Sequence, residues 1–373
     1  MEQREGLLPR LLVRADAGVG IGVGHAMRCL ALAHAWKSRG GEVEFLSHGQ
    51  QKSLEERVER AGMKWTALAR VHPHPGDLET TIRRLGELAE SSAAPWLVLD
   101  GYHFDSTYHQ SVRGAGYPLL VIDDDSFARA HHGNILLNPI LDGANAQTES
   151  LDFLILSGLE FVLLRSEFLV HRGRKRSIAP IARRVLVTFG GSDPRNVTLK
   201  AMKAVKTLPI EGLEVIVVAG GHNQHTGLLQ QEMSTWRHPV RLVKDTVDMP
   251  GLMAWADVAL SAAGSTCWEL AFMGLPSMVI VTAENQERVA SVVEKSGFGI
   301  SLGQELELTE ADIRDAVYRL CSDKSMRRQL SHRGREVVDG AGGERVAEVI
   351  VQQHARISKC RPEVGSPARR AAW

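Results

Sequence analysis

LLVRADAGVGIGVGHAMRCLALAHAWKSRG, residues 11–40, is the stretch that decides the fold. An apolar run opens it. A loop follows with glycine at every second position, Gly18, Gly20, Gly22 and Gly24, and ends on His25. Met27, Leu30, Ala31 and His34 then fall on one face of an amphipathic helix that Gly40–Gly41 stops. Strand, glycine loop and helix make the opening unit of a parallel α/β sheet. The functional question is His25. It is either an ordinary residue at a helix start or an imidazole placed where an anion docks and chemistry happens.

Working outward, the alternation repeats. EVEFLSHG (42–49), KWTAL (64–68), WLVLDGY (96–102), PLLVIDDD (118–125), ILLNP (135–139) and FVLLRSEF (161–168) are the next strand candidates, with helical segments at 51–61 and 76–91. HRGRKRSIAP (171–180) is basic and polar, ends in proline and breaks the rhythm as a linker. The alternation restarts with RRVLVTFGGSDPRN (183–196), EVIVVAGGH (214–222), RLVKD (241–245), DVALSAAGST (257–266), PSMVIVTAENQ (276–286) and GISLG (299–303). The expected fold is α/β: two doubly wound, Rossmann-like domains facing a cleft. Their expected limits are 10–170 and 181–353, joined by the linker at 171–180. Residues 354–373 mix proline, glycine and arginine without periodicity and are expected to form a disordered tail.

The 373 residues suffice for two domains, and 44% hydrophobic content suffices for their cores. Lys+Arg and Asp+Glu are equal at 44 each, which gives no support to a nucleic-acid or polybasic membrane partner. The four cysteines form no CxxC pair and suit a reducing compartment. The N-terminus has no apolar signal region, and no run approaches the roughly 18 apolar residues of a spanning helix. These features point to a cytoplasmic protein acting on a small molecule, without stable membrane association and favouring a monomer.

Open parallel sheets bind ligands beyond the carboxyl ends of their strands, so the loops there carry the candidates. The first loop is spaced G-x-G-x-G rather than G-x-G-x-x-G. The second strand ends Leu46-Ser47-His48 without the acidic residue that holds an adenosine ribose, and both points demote a dinucleotide cofactor. In FGGSDPRN (189–196), Gly190 and Gly191 leave amides open to an anion, or form a tight turn before a helix start at Asp193-Pro194. In AAGSTCWELAFMGLP (262–276), the Thr266-x-x-Glu269 spacing favours a capping box. The alternative keeps the Ser265 and Thr266 hydroxyls for a diphosphate and Glu269 for ribose hydroxyls. TAENQ (282–286) puts Asn285 and Gln286 after another strand, where amides can bind sugar hydroxyls or simply make the loop polar. DGYH (100–103) and IDDDS (122–126) follow first-domain strands; their aspartates cap helices or hold a cation, but no telling ligand spacing accompanies them.

RADAGVGIGVGHAMRCLALA, DGYH, IDDD, LLNP, LLRSEF, FGGSDPRN, AAGSTCWELAFMGLP, AENQ and DGAGGERV occur in this order. Together they resemble the PseG family, UDP-2,4-diacetamido-2,4,6-trideoxy-β-L-altropyranose hydrolases of pseudaminic acid biosynthesis. The resemblance runs from about Arg14 to Val346. It implies the two-domain GT-B fold shared with MurG-type glycosyltransferases, no cofactor and no metal. It implies that His25 is the catalytic histidine, with Tyr102 and Asn285 as its catalytic companions. It further implies that Arg14, Asp16, Gly22 and Gly24 lie on the sugar side. Gly190, Gly191, Ser265, Thr266 and Gln286 would bind the substrate, Glu269 the uridine ribose, and the loop at Thr246 the uracil through backbone groups. DGYH departs from members that carry a histidine before the tyrosine.

The implied chemistry is water activated by His25 and attacking C1 of a UDP-sugar, with inversion. A positioned base of this kind supplies about 10²–10⁴-fold. The same scaffold with a sugar or lipid acceptor in place of water is a glycosyltransferase.

Overall fold

The computed structural model describes residues 8–17, 24–48, 52–90, 93–124, 131–141 and 154–360. The chain divides into two units. Among the described residues, the first unit takes 8–138, 154–156 and 343–360, and the second takes 139–141 and 157–342.

The first unit contains β1 (Leu11–Ala15), α1 (Gly24–Ser38), β2 (Val43–Ser47), α2 (Lys52–Arg60), β3 (Lys64–Ala67), α3 (Pro75–Ala89), β4 (Trp96–Asp100), α4 (Ser106–Gly114), β5 (Leu119–Ile122), β6 (Ile135–Asn138) and β7 (Leu154–Ser157). The sheet order is β3-β2-β1-β4-β5-β6-β7. Strands β1, β2, β4, β5 and β6 are buried along their whole length. That is why they appear in the sequence as continuous apolar runs rather than alternating ones. The order reverses between β1 and β4, where Ala15 pairs with Asp100 at the carboxyl edge.

The second unit contains α5 (Ser166–Leu169), β8 (Arg184–Thr188), α6 (Val197–Lys206), β9 (Glu214–Ala219), α7 (Thr226–Met233), β10 (Val240–Lys244), α8 (Met249–Trp255), β11 (Val258–Ala262), α9 (Thr266–Phe272), β12 (Ser277–Val281), α10 (Glu287–Lys295), β13 (Gly299–Gln304), α11 (Glu310–Ser322) and α12 (Lys324–Val337). Its order is β10-β9-β8-β11-β12-β13, with the reversal between β8 and β11. Alternate residues feed two cores: Val185, Val187, Val215 and Val217 go to one face, Leu186, Ile216 and Val218 to the other. The two doubly wound parallel sheets are the expected fold class.

Three sequence expectations change. FVLLRSEF is not a strand: its first residue ends a 3₁₀ turn and its last three begin α5. Val162, Leu164 and Phe168 are nevertheless buried, because they pack into the second unit's core instead of joining a sheet. The 171–180 segment does not separate the units. It lies within the second one, where Arg176 donates to the carbonyls of Met253, Ala256 and Met273. Burial lowers that guanidinium to a pKa of about 10. The start of the expected tail is helical: α13 (Gly342–Cys360) joins the first unit through buried Val346, Ala347 and Ile350. The Trp96 indole donates to His354 Nδ1 at 3.3 Å, and Arg39 pairs with Glu348 at 2.7 Å. Residues 361–373 lie outside the described residues.

Candidate active site

A crevice at the carboxyl edge, where strand order reverses, is the standard ligand position in such sheets. In the first unit the groups there form one network. His25 is the second residue of α1, and Asp100 ends β4. Nδ1 of His25 lies 2.7 Å from Asp100 Oδ1. Arg28, one helical turn on, donates Nε to Asp100 Oδ2 at 2.5 Å and Nη2 to Oδ1 at 2.7 Å. Its Nη1 donates to Asp124 Oδ2 at 2.5 Å. Tyr102 Oη donates to Asp124 Oδ1 at 2.9 Å, and the Tyr102 ring stands edge-on to the His25 ring with centroids 4.6 Å apart.

Charge fixes the tautomer. Burial alone would raise the Asp100 pKa, but the Arg28 and His25 charges overcome it and hold the carboxyl well below the usual range. An ionised carboxylate only accepts, so the 2.7 Å contact puts a proton on Nδ1 of His25, in preference to the longer 3.2 Å approach of Arg28 Nη2 to the same nitrogen. In the neutral ring Nε2 is then the lone-pair nitrogen, with no hydrogen-bond partner among the described residues. The side chain is 10% exposed. Burial first and the Asp124 charge second push the Tyr102 phenol well above its ordinary value, so it stays a protonated donor. The result is an oriented imidazole, with Nε2 turned away from Asp100.

Two residues expected on the sugar side have a different position. Arg14 and Asp16 have fully buried side chains, paired to each other and, through Arg14, to Asp77. Their polar atoms are paired inside the unit. Gly24 is exposed with open space where a Cβ would stand, and Gly22 lies outside the described residues.

In the second unit, the loops after β8 and β11 flank its reversal point. Gly190 takes φ +81°, which only glycine adopts without strain, and both Gly190 and Gly191 are exposed. The alternative helix-start role falls on Asp193, whose carboxylate accepts from the Val197 and Thr198 amides at 2.9 Å each. The loop after β9 presses on the glycine pair: a Cβ on Gly220 would stand 2.4 Å from Gly191 Cα.

The capping box does not form. Ser265 is the N-cap and makes no side-chain cap bond, and Thr266 is the first helical residue. Glu269 turns instead to Arg165, which donates Nε at 2.7 Å. An ion pair with a guanidinium outcompetes a neutral cap for a buried carboxylate. Burial raises the Glu269 pKa, and Arg165 opposes that rise. Ser265 is exposed and Thr266 half-buried. Thr246 Oγ1 accepts from the Asp248 amide at 3.0 Å, so its hydroxyl shapes the loop. Asn285 is exposed in a 3₁₀ turn (Glu284–Gln286). Gln286 Oε1 accepts from the Thr282 amide at 2.9 Å and its hydroxyl at 3.1 Å.

The sequence alone assigned no roles to Arg28, Arg165 or His103, and offered Asp100 and Asp124 only as caps or cation ligands. Asp105 caps α4, not Asp100. The one local signal was Arg28, placed three residues after His25 on the same helical face.

Two Rossmann-like parallel sheets, each with one reversal of strand order, define the class, the GT-B fold. The solved structure of Acinetobacter baumannii MurG superposes with a TM-score of 0.66 at 13% identity, covering 92% of this chain and 100% of that one. Residues 185–341 match the Glycosyltransferase family 28 C-terminal domain. Spore coat polysaccharide biosynthesis protein SpsG of Bacillus subtilis is 23% identical over 347 residues, 90% of this chain and 96% of that protein. The UDP-N-acetylglucosamine–N-acetylmuramyl-(pentapeptide) pyrophosphoryl-undecaprenol N-acetylglucosamine transferase of Symbiobacterium thermophilum is 33% identical over 174 residues, 45% of this chain and 46% of that one. No helix among the described residues is long and apolar enough to cross a membrane.

Proposed function

We propose that this chain is a nucleotide-sugar enzyme of the GT-B type that transfers a glycosyl group from a UDP-sugar in surface polysaccharide synthesis. The observation that carries the reading is the orientation of His25: Nδ1 bound to ionised Asp100, and Nε2 left to accept a proton. In this reading Nε2 takes the proton of an acceptor hydroxyl as its oxygen attacks C1. The C1–O bond breaks and its electron pair leaves on UDP, with inversion at C1. The second unit takes the nucleotide. Glu269 accepts from ribose hydroxyls, Ser265, Thr266 and the Gly190–Gly191 amides meet the diphosphate, and backbone groups at Thr246 meet uracil. Asn285 and the Gln286 amide nitrogen are left for the sugar. The family 28 match over residues 185–341 supports the nucleotide role of this unit. The SpsG likeness over nearly the whole chain supports a place in polysaccharide synthesis.

A second reading replaces the acceptor by water and yields the UDP-sugar hydrolase of the PseG type. The contact between His25 and Tyr102 favours it, since these are the two first-unit catalytic positions that the resemblance implies. One experiment separates the readings. The protein is incubated with UDP-N-acetylglucosamine or a UDP-linked 2,4-diacetamido-2,4,6-trideoxyhexose, with and without oligosaccharide and polyprenyl-phosphate acceptors, and products are followed by NMR. Glycoside formed only with acceptor supports transfer. Free sugar and UDP formed without acceptor support hydrolysis. No UDP release under any condition refutes both.

A further inference from the structure

The first unit carries a second constellation built from the same parts as the first. Arg14 bridges two carboxylates, Asp16 and Asp77, as Arg28 bridges Asp100 and Asp124. Asp16 Oδ2 lies 2.9 Å from His103 Nε2, as Asp100 faces His25. Asp77 accepts from Tyr108 Oη at 2.9 Å, as Asp124 accepts from Tyr102. The two sets are crossed. His25 follows β1 and is held by the aspartate that ends β4. His103 follows β4 and is held by the aspartate just past β1. Both histidines therefore belong to the same reversal point.

The second set is buried more deeply. The side chains of Arg14, Asp16 and Asp77 are 0% exposed and leave a formal surplus of one negative charge in the interior. Burying such a cluster is costly unless every lone pair is met. Asp16 is fully met: besides Arg14 and His103, it accepts from the His48 amide at 2.7 Å. No capacity is left on Asp16 for a ligand. The group this cluster presents outward is the His103 ring, 24% exposed. Phe104 packs on that ring with centroids 4.1 Å apart, and Arg14 lies over Phe104 at 4.9 Å. Asp16 is ionised, because His103 and Arg14 overcome the rise that burial alone would cause. It accepts from Nε2, so in the neutral ring Nδ1 is the lone-pair nitrogen, and Nδ1 has no hydrogen-bond partner among the described residues.

We propose that His103 is a substrate-contacting residue whose Nδ1 accepts a hydrogen bond from a hydroxyl or amide N–H of the glycosyl group on which His25 acts. The inference rests on the nucleotide-sugar reading and uses nothing from the second unit. His25 and His103 then divide the work: one accepts the nucleophile's proton, the other fixes the sugar's orientation.

The test compares His103→Phe, which keeps the packing on Phe104, with His103→Gln, which keeps a polar acceptor. UDP affinity stays at the wild-type value in both. kcat/KM for UDP release falls about 10-fold in His103→Phe, the scale of one hydrogen bond, and is partly recovered in His103→Gln. Independently, the ¹⁵N resonance of His103 Nδ1 shifts when ¹⁵N-labelled His25→Asn protein, impaired in turnover, is titrated with intact UDP-sugar. Values of kcat/KM within twofold of wild type in both variants overturn the inference, as does an unmoved Nδ1 resonance at saturating donor. If His103→Phe does not fold, His103→Gln and the resonance decide. If the wild type releases no UDP from any donor, the nucleotide-sugar reading fails and takes this inference with it; a working wild type with unaffected variants overturns His103 alone.

Discussion

Asp100→Asn keeps the volume of the side chain and removes the charge that orients His25. Asp100 meets three nitrogen donors, His25 Nδ1 and Arg28 Nη2 at Oδ1, both at 2.7 Å, and Arg28 Nε at Oδ2 at 2.5 Å, besides the Cys29 thiol at Oδ2 at 3.5 Å. Asparagine offers one oxygen and one NH₂ group, so no orientation satisfies all three. With its oxygen toward His25, the NH₂ opposes Arg28 Nε. With its oxygen toward Arg28 Nε, the NH₂ faces His25 Nδ1 and stabilises the tautomer protonated on Nε2, which cannot act as a base. A wrong tautomer costs about 10⁴ in the Ser-His-Asp enzymes, or about 5.4 kcal/mol at 1.36 kcal/mol per decade. Because one orientation here preserves the correct tautomer, kcat should fall by about 10²–10⁴, with UDP affinity unchanged. The unsatisfied donor should lower stability by about 1–3 kcal/mol. Continuous detection of released UDP gives kcat, and thermal unfolding gives the stability. A folded variant with kcat within threefold of wild type would refute the dyad argument.

Glu269→Gln removes the carboxylate proposed for the ribose and breaks its bond to Arg165; UDP affinity measured by calorimetry should fall about 10–100-fold, on the scale of a charged hydrogen bond. Unchanged affinity would leave Glu269 as a partner of Arg165 alone. Gly220→Ala puts a methyl 2.4 Å from Gly191 Cα, a backbone contact that cannot yield, so the variant should lose about 1–3 kcal/mol and bind UDP more weakly; wild-type behaviour on both measures would contradict the close approach. His109 is buried and lowered to a pKa of about 4 from 6.5, first by burial and then by His131 and His132. It is neutral when folded, while the unfolded chain takes up its proton below pH 6.5. Its share of stability, at most about 3 kcal/mol, is therefore complete above pH 6.5 and lost as pH falls toward 4. His109→Phe should flatten that slope in denaturant titrations, and an unchanged slope would assign the acid sensitivity elsewhere.

How much of this was legible depends on the range of each interaction. The fully buried parallel strands announce themselves as short, mostly apolar runs because a polar residue on either face needs a partner, as Arg14 in β1 and Glu44 in β2 have in their ion pairs. FVLLRSEF carries the same apolar signal, yet Val162, Leu164 and Phe168 are buried by core packing without a strand partner, and a local pattern does not distinguish the two. The buried stripe of α13 was obscured by the polar residues that follow it. Thr266 and Glu269 have the spacing of a cap, but the partner that takes the carboxylate is Arg165, 104 residues away. Asp16 and His103 are 87 residues apart, and His25 and Asp100 are 75 apart. His25 could be picked out from its glycine loop; the carboxylate that makes it a base, and the full burial of Arg14 and Asp16, are products of the folded sheet.

The central claim is that His25 drives cleavage of a UDP-sugar at C1. Its most direct test is a side-by-side time course of UDP release by wild type and folded His25→Asn, with the same donor and acceptor conditions. Wild type should release many UDP molecules per protein, the variant should be about 10²–10⁴-fold slower, and UDP affinity should be equal in both. A variant that turns over at the wild-type rate would contradict it.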